Sequence, residues 1–261
     1  MRERTQGPLG GRKTKSVTAS VLNVGSGGRP NPSWTNLDIV GFIGWIRKIK
    51  ARTPPNFVKH RLPKSLPFND QTFEAIYCAQ VIEHFNRNDA FKIFTEFRRV
   101  LANDGFARVI VPNLETQVRQ YLDTLADVRS NPTPTSMENY RFAKLWLIEQ
   151  FVRRTPGGEL TTFLSNASPA MQQRLRAEGS EPNAMISRLP AWLRHILVVR
   201  TGQLHQWAYD SNDLVCMAKE AGFSRVEIMS SSASIRPDFV AFDNDARGEL
   251  QVGSLYVECF R

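Results

Sequence analysis

Apolar positions along the chain follow two periods. Short β-branched or apolar runs fall at Ala19 to Val24, Thr35 to Ile39, Asn56 to His60, Ala75 to Ala79, Phe106 to Val111, Arg225 to Met229 and Ser254 to Phe260, each with the length of a strand. Between the fourth and fifth runs, Phe91, Phe94, Phe97 and Leu101 recur at helical spacing. This predicts a helix over Asp89 to Leu101, ended by Asn103-Asp104-Gly105. Asp213 to Glu220 reads the same way, bounded by Ser211-Asn212 and Ala221-Gly222. Strands alternating with helices predict an α/β fold, a Rossmann-like seven-stranded and mostly parallel sheet flanked by helices.

From about 128 to 199 the alternation stops. Pro132 and Pro134 open this segment, Tyr140 to Arg153 is apolar on most faces, and Pro190 starts a further apolar helix over Ala191 to Val199. The expected organisation is a tail over 1–18, a core over 19–127, a helical insertion over 128–199 and a return to the core over 200–261. An insertion after strand five lies at the carboxyl edge of the sheet, where open α/β folds bind ligands. Either it caps that edge or it packs on the flank.

Composition narrows the setting. The longest apolar stretches, such as Ile196 to Val199, are far shorter than the ~20 residues that span a bilayer. No apolar signal-like core stands at the N-terminus, and Cys78, Cys216 and Cys259 are too scattered for a disulfide framework or zinc site. A cytoplasmic protein is expected. His60, His84, His195 and His205 show no metal-ligand spacing, so no metal is expected either. The formal charge of +9 invites a nucleic-acid partner, but Arg2, Arg4, Arg12, Lys13 and Lys15 against Glu3 put almost half of it in the first 15 residues. That tail is expected to be disordered. Arg47, Lys48, Lys50 and Arg52, set among Trp45, Ile46 and Ile49, read as a solvated helix face or as an amphipathic helix on an acidic surface. Nucleic acid is allowed as a partner, not favoured.

The chemistry begins at Val24-Gly25-Ser26-Gly27-Gly28, a glycine-rich turn at the end of the first strand. Glycine lets backbone approach a ligand closely, although an ordinary turn uses it too. A nicotinamide site would ask for G-x-G-x-x-G and an acidic residue about 20 positions later. Here Pro30 stands where the third glycine belongs, and Asp38 comes only 13 positions after Gly25. Asp38, near the end of the second strand, is placed to accept both ribose hydroxyls of an adenosine, or to cap a turn.

Together the residues from Leu22 to Asn113 resemble the type 11 branch of the class I S-adenosyl-L-methionine (SAM)-dependent methyltransferases. Leu22-Asn23-Val24-Gly25-Ser26-Gly27 is similar to its first motif and Trp34-Thr35-Asn36-Leu37-Asp38 to its acidic second strand. The run from Leu66-Pro67-Phe68 to Phe73-Glu74-Ala75-Ile76 resembles its approach to strand four. Val81-Ile82-Glu83-His84-Phe85 and Glu96-Phe97-Arg98-Arg99-Val100-Leu101 resemble the stretch leading into strand five. Later segments, Gly202 to Asp210, Ala221-Gly222-Phe223 and Leu255 to Glu258, resemble a largely uncharacterised bacterial subgroup associated with glycan and small-metabolite acceptors.

The resemblance implies SAM as cofactor. Gly25, Ser26 and Gly27 would wall its methionine part, Asp38 would take the ribose hydroxyls, and Ala79 and Gln80 would line the sulfonium region. Arg61 and Leu62 would border the adenine. Related sequences usually offer an Asp at that last place, so backbone groups are expected to replace it.

Two histidines remain. Glu83-His84 reads as acid/base machinery or, preferably, as a scaffold holding neighbouring loops. His205, near Trp207, Tyr209 and Asp210, is the candidate base, with Asp210 as its orienter; the plain alternative is a structural histidine. A sulfonium methyl is already activated, so alignment and exclusion of water carry most of the catalysis and a base is optional. The expected function is methyl transfer to a small-molecule or glycan acceptor, at oxygen. RNA or protein methylation, and a binding subunit without catalysis, are the alternatives. Cys78-Ala79-Gln80 lacks the Asn/Asp-Pro-Pro-aromatic motif of amino-methylating nucleic-acid enzymes.

Overall fold

The computed structural model describes residues 20–27, 29–39, 56–152, 158–177, 204–244 and 253–261. The basic tail, the 45–52 segment, Gly28 and the helix expected at Ala191 to Val199 lie outside the described residues.

The described residues form a seven-stranded sheet of order β3-β2-β1-β4-β5-β7-β6. Its strands are β1 Val21–Val24, β2 Thr35–Asp38, β3 Phe57–Lys59, β4 Phe73–Ala79, β5 Leu101–Pro112, β6 Arg225–Met229 and β7 Ser254–Phe260. β7 alone runs against its neighbours; the pairs among β1 to β5 are parallel. The expected architecture is thus the observed one.

Period-2 alternation feeds two cores, one on each face. In β4, Ile76 and Cys78 face Phe94, Phe97, Leu214 and Met217. Ala75 and Tyr77 face Trp34 and Phe239 on the other side. The first face is covered by helices α1 Arg87–Val100 and α6 Ser211–Glu220, the second by α7 Pro237–Asn244. Each large apolar side chain buried in these layers contributes roughly 1.5–3 kcal/mol.

α1 stops at Val100, and Asn103-Asp104-Gly105, expected to end a helix, lies within β5. Pairing explains the difference. Leu101 sits opposite Phe73 and Phe106 opposite Ala75, so residues 102–105 bulge out of register while the strand continues.

The passage from β1 to β2 takes only residues 25–34, shorter than the dozen or more that a parallel crossover needs with a helix. Buried asparagines hold it instead. Asn23 Nδ2 donates to Asn36 Oδ1 (3.1 Å) and to the Arg29 carbonyl (3.2 Å). Asn36 Nδ2 donates to the carbonyls of Asn31 (2.7 Å) and Trp34 (3.0 Å).

Behind β5 the chain turns helical at once, through α2 Leu114–Ser130, α3 Pro134–Val152, α4 Gly158–Ser165 and α5 Pro169–Ala177. Asn113 starts α2 by accepting from the amides of Glu115 and Thr116. Thr133 and Ser136 cap the start of α3 reciprocally: the Ser136 amide donates to Thr133 Oγ1 and the Thr133 amide to Ser136 Oγ. Phe142, Leu160, Leu164, Ala167 and Met171 form a small core of their own.

Candidate active site

Parallel register sets the carboxyl ends of the central strands side by side. Val24 pairs with Leu37 and Cys78, and Ala79 pairs with Ile110. Gly25, Asp38 and Gln80 therefore emerge at one edge. Strand order reverses between β1 and β4, which opens the crevice in which such sheets bind ligands.

The glycine turn is built for close approach. Gly25 has φ +68°, and a Cβ there would run into Val81 Cγ2. Its amide and that of Ser26 both donate to the Leu37 carbonyl, at 2.8 and 3.2 Å. The Gly27 amide donates to Asp38 Oδ2 at 2.5 Å. Burial raises the pKa of the Asp38 carboxyl, partly offset by the amides of Gly27 and Ile39. Ser26 is buried, and its hydroxyl has no hydrogen-bond partner among the described residues. A buried polar atom next to a tight glycine turn and a carboxylate fits the polar face of an adenosyl cofactor.

Ala79 ends β4, half-buried, and Gln80 follows at φ +55°. A non-glycine residue in the left-handed region is held there by its surroundings: the Gln80 amide donates to the Ile110 carbonyl at 2.8 Å. Beyond β3, Asp38 pairs with Lys59, which brings the following residues to the far side of the same edge. Arg61 is exposed there. Leu62 is buried at 8% exposure and belongs to the core of one sheet face.

Glu83 and His84 lie in a short 3-10 turn, Ile82–His84. Their backbone does what a scaffold would. The Glu83 carbonyl accepts from the amides of Gln206 and Trp207 (2.7 and 3.2 Å), and the His84 carbonyl from Gln206 Nε2 (2.7 Å). His84 Nδ1 contacts the Leu204 carbonyl at 3.3 Å. This brings in the 204–210 loop, whose Trp207 donates to Asp213 Oδ2 at 2.6 Å; Arg87 pairs with the same carboxylate.

The Glu83 side chain has a separate character. It is 1% exposed, neither oxygen has a hydrogen-bond partner among the described residues, and burial pushes its carboxyl up to about 8. The rings of His84 and His205 meet edge to face at 4.8 Å. One ligating atom from each of Glu83, His84 and His205 lies within 4.8 Å of the others.

Asp210 is engaged elsewhere. It is the N-cap of α6 and accepts from the Asp213 amide at 2.7 Å. The Glu83 carboxyl lies beside His205. The capping spacing Asp210-x-x-Asp213 was the available signal for this, while the approach of Glu83 across more than 120 residues had none. Sequence reasoning also missed Asn23 and Asn36, whose amides pin the loop carrying the glycine turn.

Residues 37–109 match the model of a family described as a methyltransferase domain. An uncharacterised protein of Methanocaldococcus jannaschii is 32% identical over 75 residues, 29% of this chain. The match spans 31% of that relative's length. A SAM-dependent methyltransferase of Thermotoga maritima aligns with 93% of this chain and 82% of its own, at 10% identity and a TM-score of 0.43. One from Mesorhizobium loti aligns with 94% of this chain and 92% of its own, at 11% identity and a TM-score of 0.42.

Proposed function

We propose that the class I, SAM-dependent methyltransferase domain carried by this chain transfers a methyl group to an oxygen of a small-molecule or glycan acceptor. What supports the reading is the convergence of Gly25, Ser26, Gly27, Asp38 and Gln80 at the crevice between β1 and β4. SAM, when bound, supplies a sulfonium whose methyl carbon is open to in-line displacement by the acceptor.

The chain's own residues would align and shield. Asp38, whose carboxylate has lone pairs beyond the Gly27 contact, would accept the ribose hydroxyls. The turn at Gly25 to Gly27 and the Ser26 hydroxyl would receive the polar methionine part, and Ala79 and Gln80 would line the reacting region. Arg61 and Leu62 would border the adenine, Leu62 through its backbone since its side chain is in the core. His205, half-buried at the edge of a small cavity with Glu83, would take the acceptor's proton at a ring nitrogen. Asp210 would act only through the loop that it caps.

No helix among the described residues is long and apolar enough to cross a membrane. Cys78, Cys216 and Cys259 are free thiols, which fits the cytoplasm. Titration calorimetry with SAM and S-adenosylhomocysteine tests the cofactor reading: micromolar binding is expected, and none at millimolar ligand sinks it. Incubation with labelled SAM and hydroxyl-bearing glycans or metabolites then tests the acceptor class. The charge of +9 favours RNA as a second reading. Salt-dependent RNA affinity that survives deletion of residues 1–15 would move the assignment there.

A further inference from the structure

We propose that Glu83, His84 and His205 bind a divalent transition-metal ion of the zinc type. This site goes beyond the methyl-transfer reading and does not rest on it.

Three observations converge. The Glu83 carboxyl is buried and unpartnered among the described residues; a carboxyl in that state either keeps its proton or ionises against a cation or metal. Two imidazoles stand next to it, their rings 4.8 Å apart, and the three ligating atoms lie within 4.8 Å of one another. A cavity of about 10 Å³ lies against Glu83 and His205, with Pro112, Gln117 and Trp207 among its other walls. That is the room of roughly one water molecule or ion.

The surroundings suit coordination. The Leu204 carbonyl can only accept, so a hydrogen bond across their 3.3 Å contact places the proton on His84 Nδ1, and in the neutral ring that tautomer leaves the lone pair on Nε2. A ligating histidine anchored through its other nitrogen to a backbone carbonyl is the usual supporting arrangement. Two imidazoles and one carboxylate suit zinc, and leave a position for water or an acceptor oxygen. Donors around a tetrahedral zinc lie roughly 3.3 Å apart for bonds of about 2.0 Å. The donor atoms must therefore close by up to about 1.5 Å, through rotations of the Glu83 and His205 side chains. With the ion bound, His205 is a ligand and no longer the base.

The test uses the full chain without a polyhistidine tag, stripped with EDTA and titrated with Zn²⁺ or Co²⁺. One equivalent per chain is expected by elemental analysis, with the visible absorption of low-symmetry Co²⁺. Glu83→Gln and His205→Ala should each weaken Zn²⁺ binding at least tenfold, while His60→Ala should leave it unchanged. His205→Cys keeps a zinc ligand and should retain stoichiometric binding with a thiolate-to-cobalt charge-transfer band. That variant separates lost ligation from lost folding. Wild-type protein holding only background zinc, or Glu83→Gln and His205→Ala binding as tightly as wild type, overturns the proposal. SAM affinity measured on the same stripped samples reads the cofactor site separately, so failure of one leaves the other standing or fallen on its own data.

Discussion

The amide of Gly27 donates to Oδ2 of Asp38 at 2.5 Å, which joins the turn after β1 to the carboxylate ending β2. The glycine turn and the Asp38 carboxylate are thus one hydrogen-bonded unit. Asp38→Ala removes the acceptor proposed for the two ribose hydroxyls, and a hydrogen bond to a charged group is worth about 1.5–3 kcal/mol. SAM affinity should fall by at least about tenfold in calorimetry. An unchanged dissociation constant would take the ribose role from Asp38.

Gly25→Ala should act on both fold and cofactor. At φ +68° a side chain is strained, and its Cβ would meet the Val81 side chain, which must move. Strain of this kind costs on the order of 1–3 kcal/mol. Thermal unfolding should show the loss, and calorimetry a weaker SAM complex. A variant with wild-type stability and affinity would mean that the turn tolerates a side chain.

The sheet was legible because its signal is local. Alternation of Ala75, Ile76, Tyr77 and Cys78 between two faces needs no partner to be read, and the glycine turn and Asp38 announce themselves by residue type. The bulge at 102–105 was not, because it arises from register against β4, and Asn103-Asp104-Gly105 has the composition of a helix stop. Asp210 looked like a partner for His205 because five residues separate them. One of its carboxylate oxygens accepts from the amide three residues on. Glu83 was half legible: the scaffold role belongs to its backbone carbonyl, while its side chain meets a loop remote in sequence.

Arg108 makes a further case of long-range chemistry hidden in a strand. Its guanidinium is fully buried and donates to Asp243 (2.8 and 3.0 Å), to Glu258 (3.1 Å) and to the Ala233 carbonyl (2.9 Å). Tyr77 donates to the same Asp243 at 2.5 Å. Arg108→Met would leave two buried carboxylates without their cation, at a cost of about 3–5 kcal/mol. Adding Asp243→Asn and Glu258→Gln should recover part of that loss in urea unfolding. Equal stability of Arg108→Met and wild type would show the network to be dispensable.

Burial pushes the Glu83 carboxyl from 4.5 up to about 8, which makes stability depend on pH in the protein stripped of metal. In the unfolded chain the group ionises near 4.5, whereas in the fold it keeps its proton until about 8. Between these values the native state binds more protons than the unfolded one, so stability declines as pH rises. Below the window both states are protonated and above it both are ionised, so this group adds no slope. The total decline is on the order of 5 kcal/mol at most, from the size of the displacement. Cys78 and Tyr209, whose own ionisation the Glu83 charge opposes, titrate above the window and leave its slope alone. Urea unfolding in EDTA across pH 4.5 to 8 should show a steeper fall for wild type than for Glu83→Gln. Parallel profiles would mean that Glu83 is already ionised in the metal-free fold.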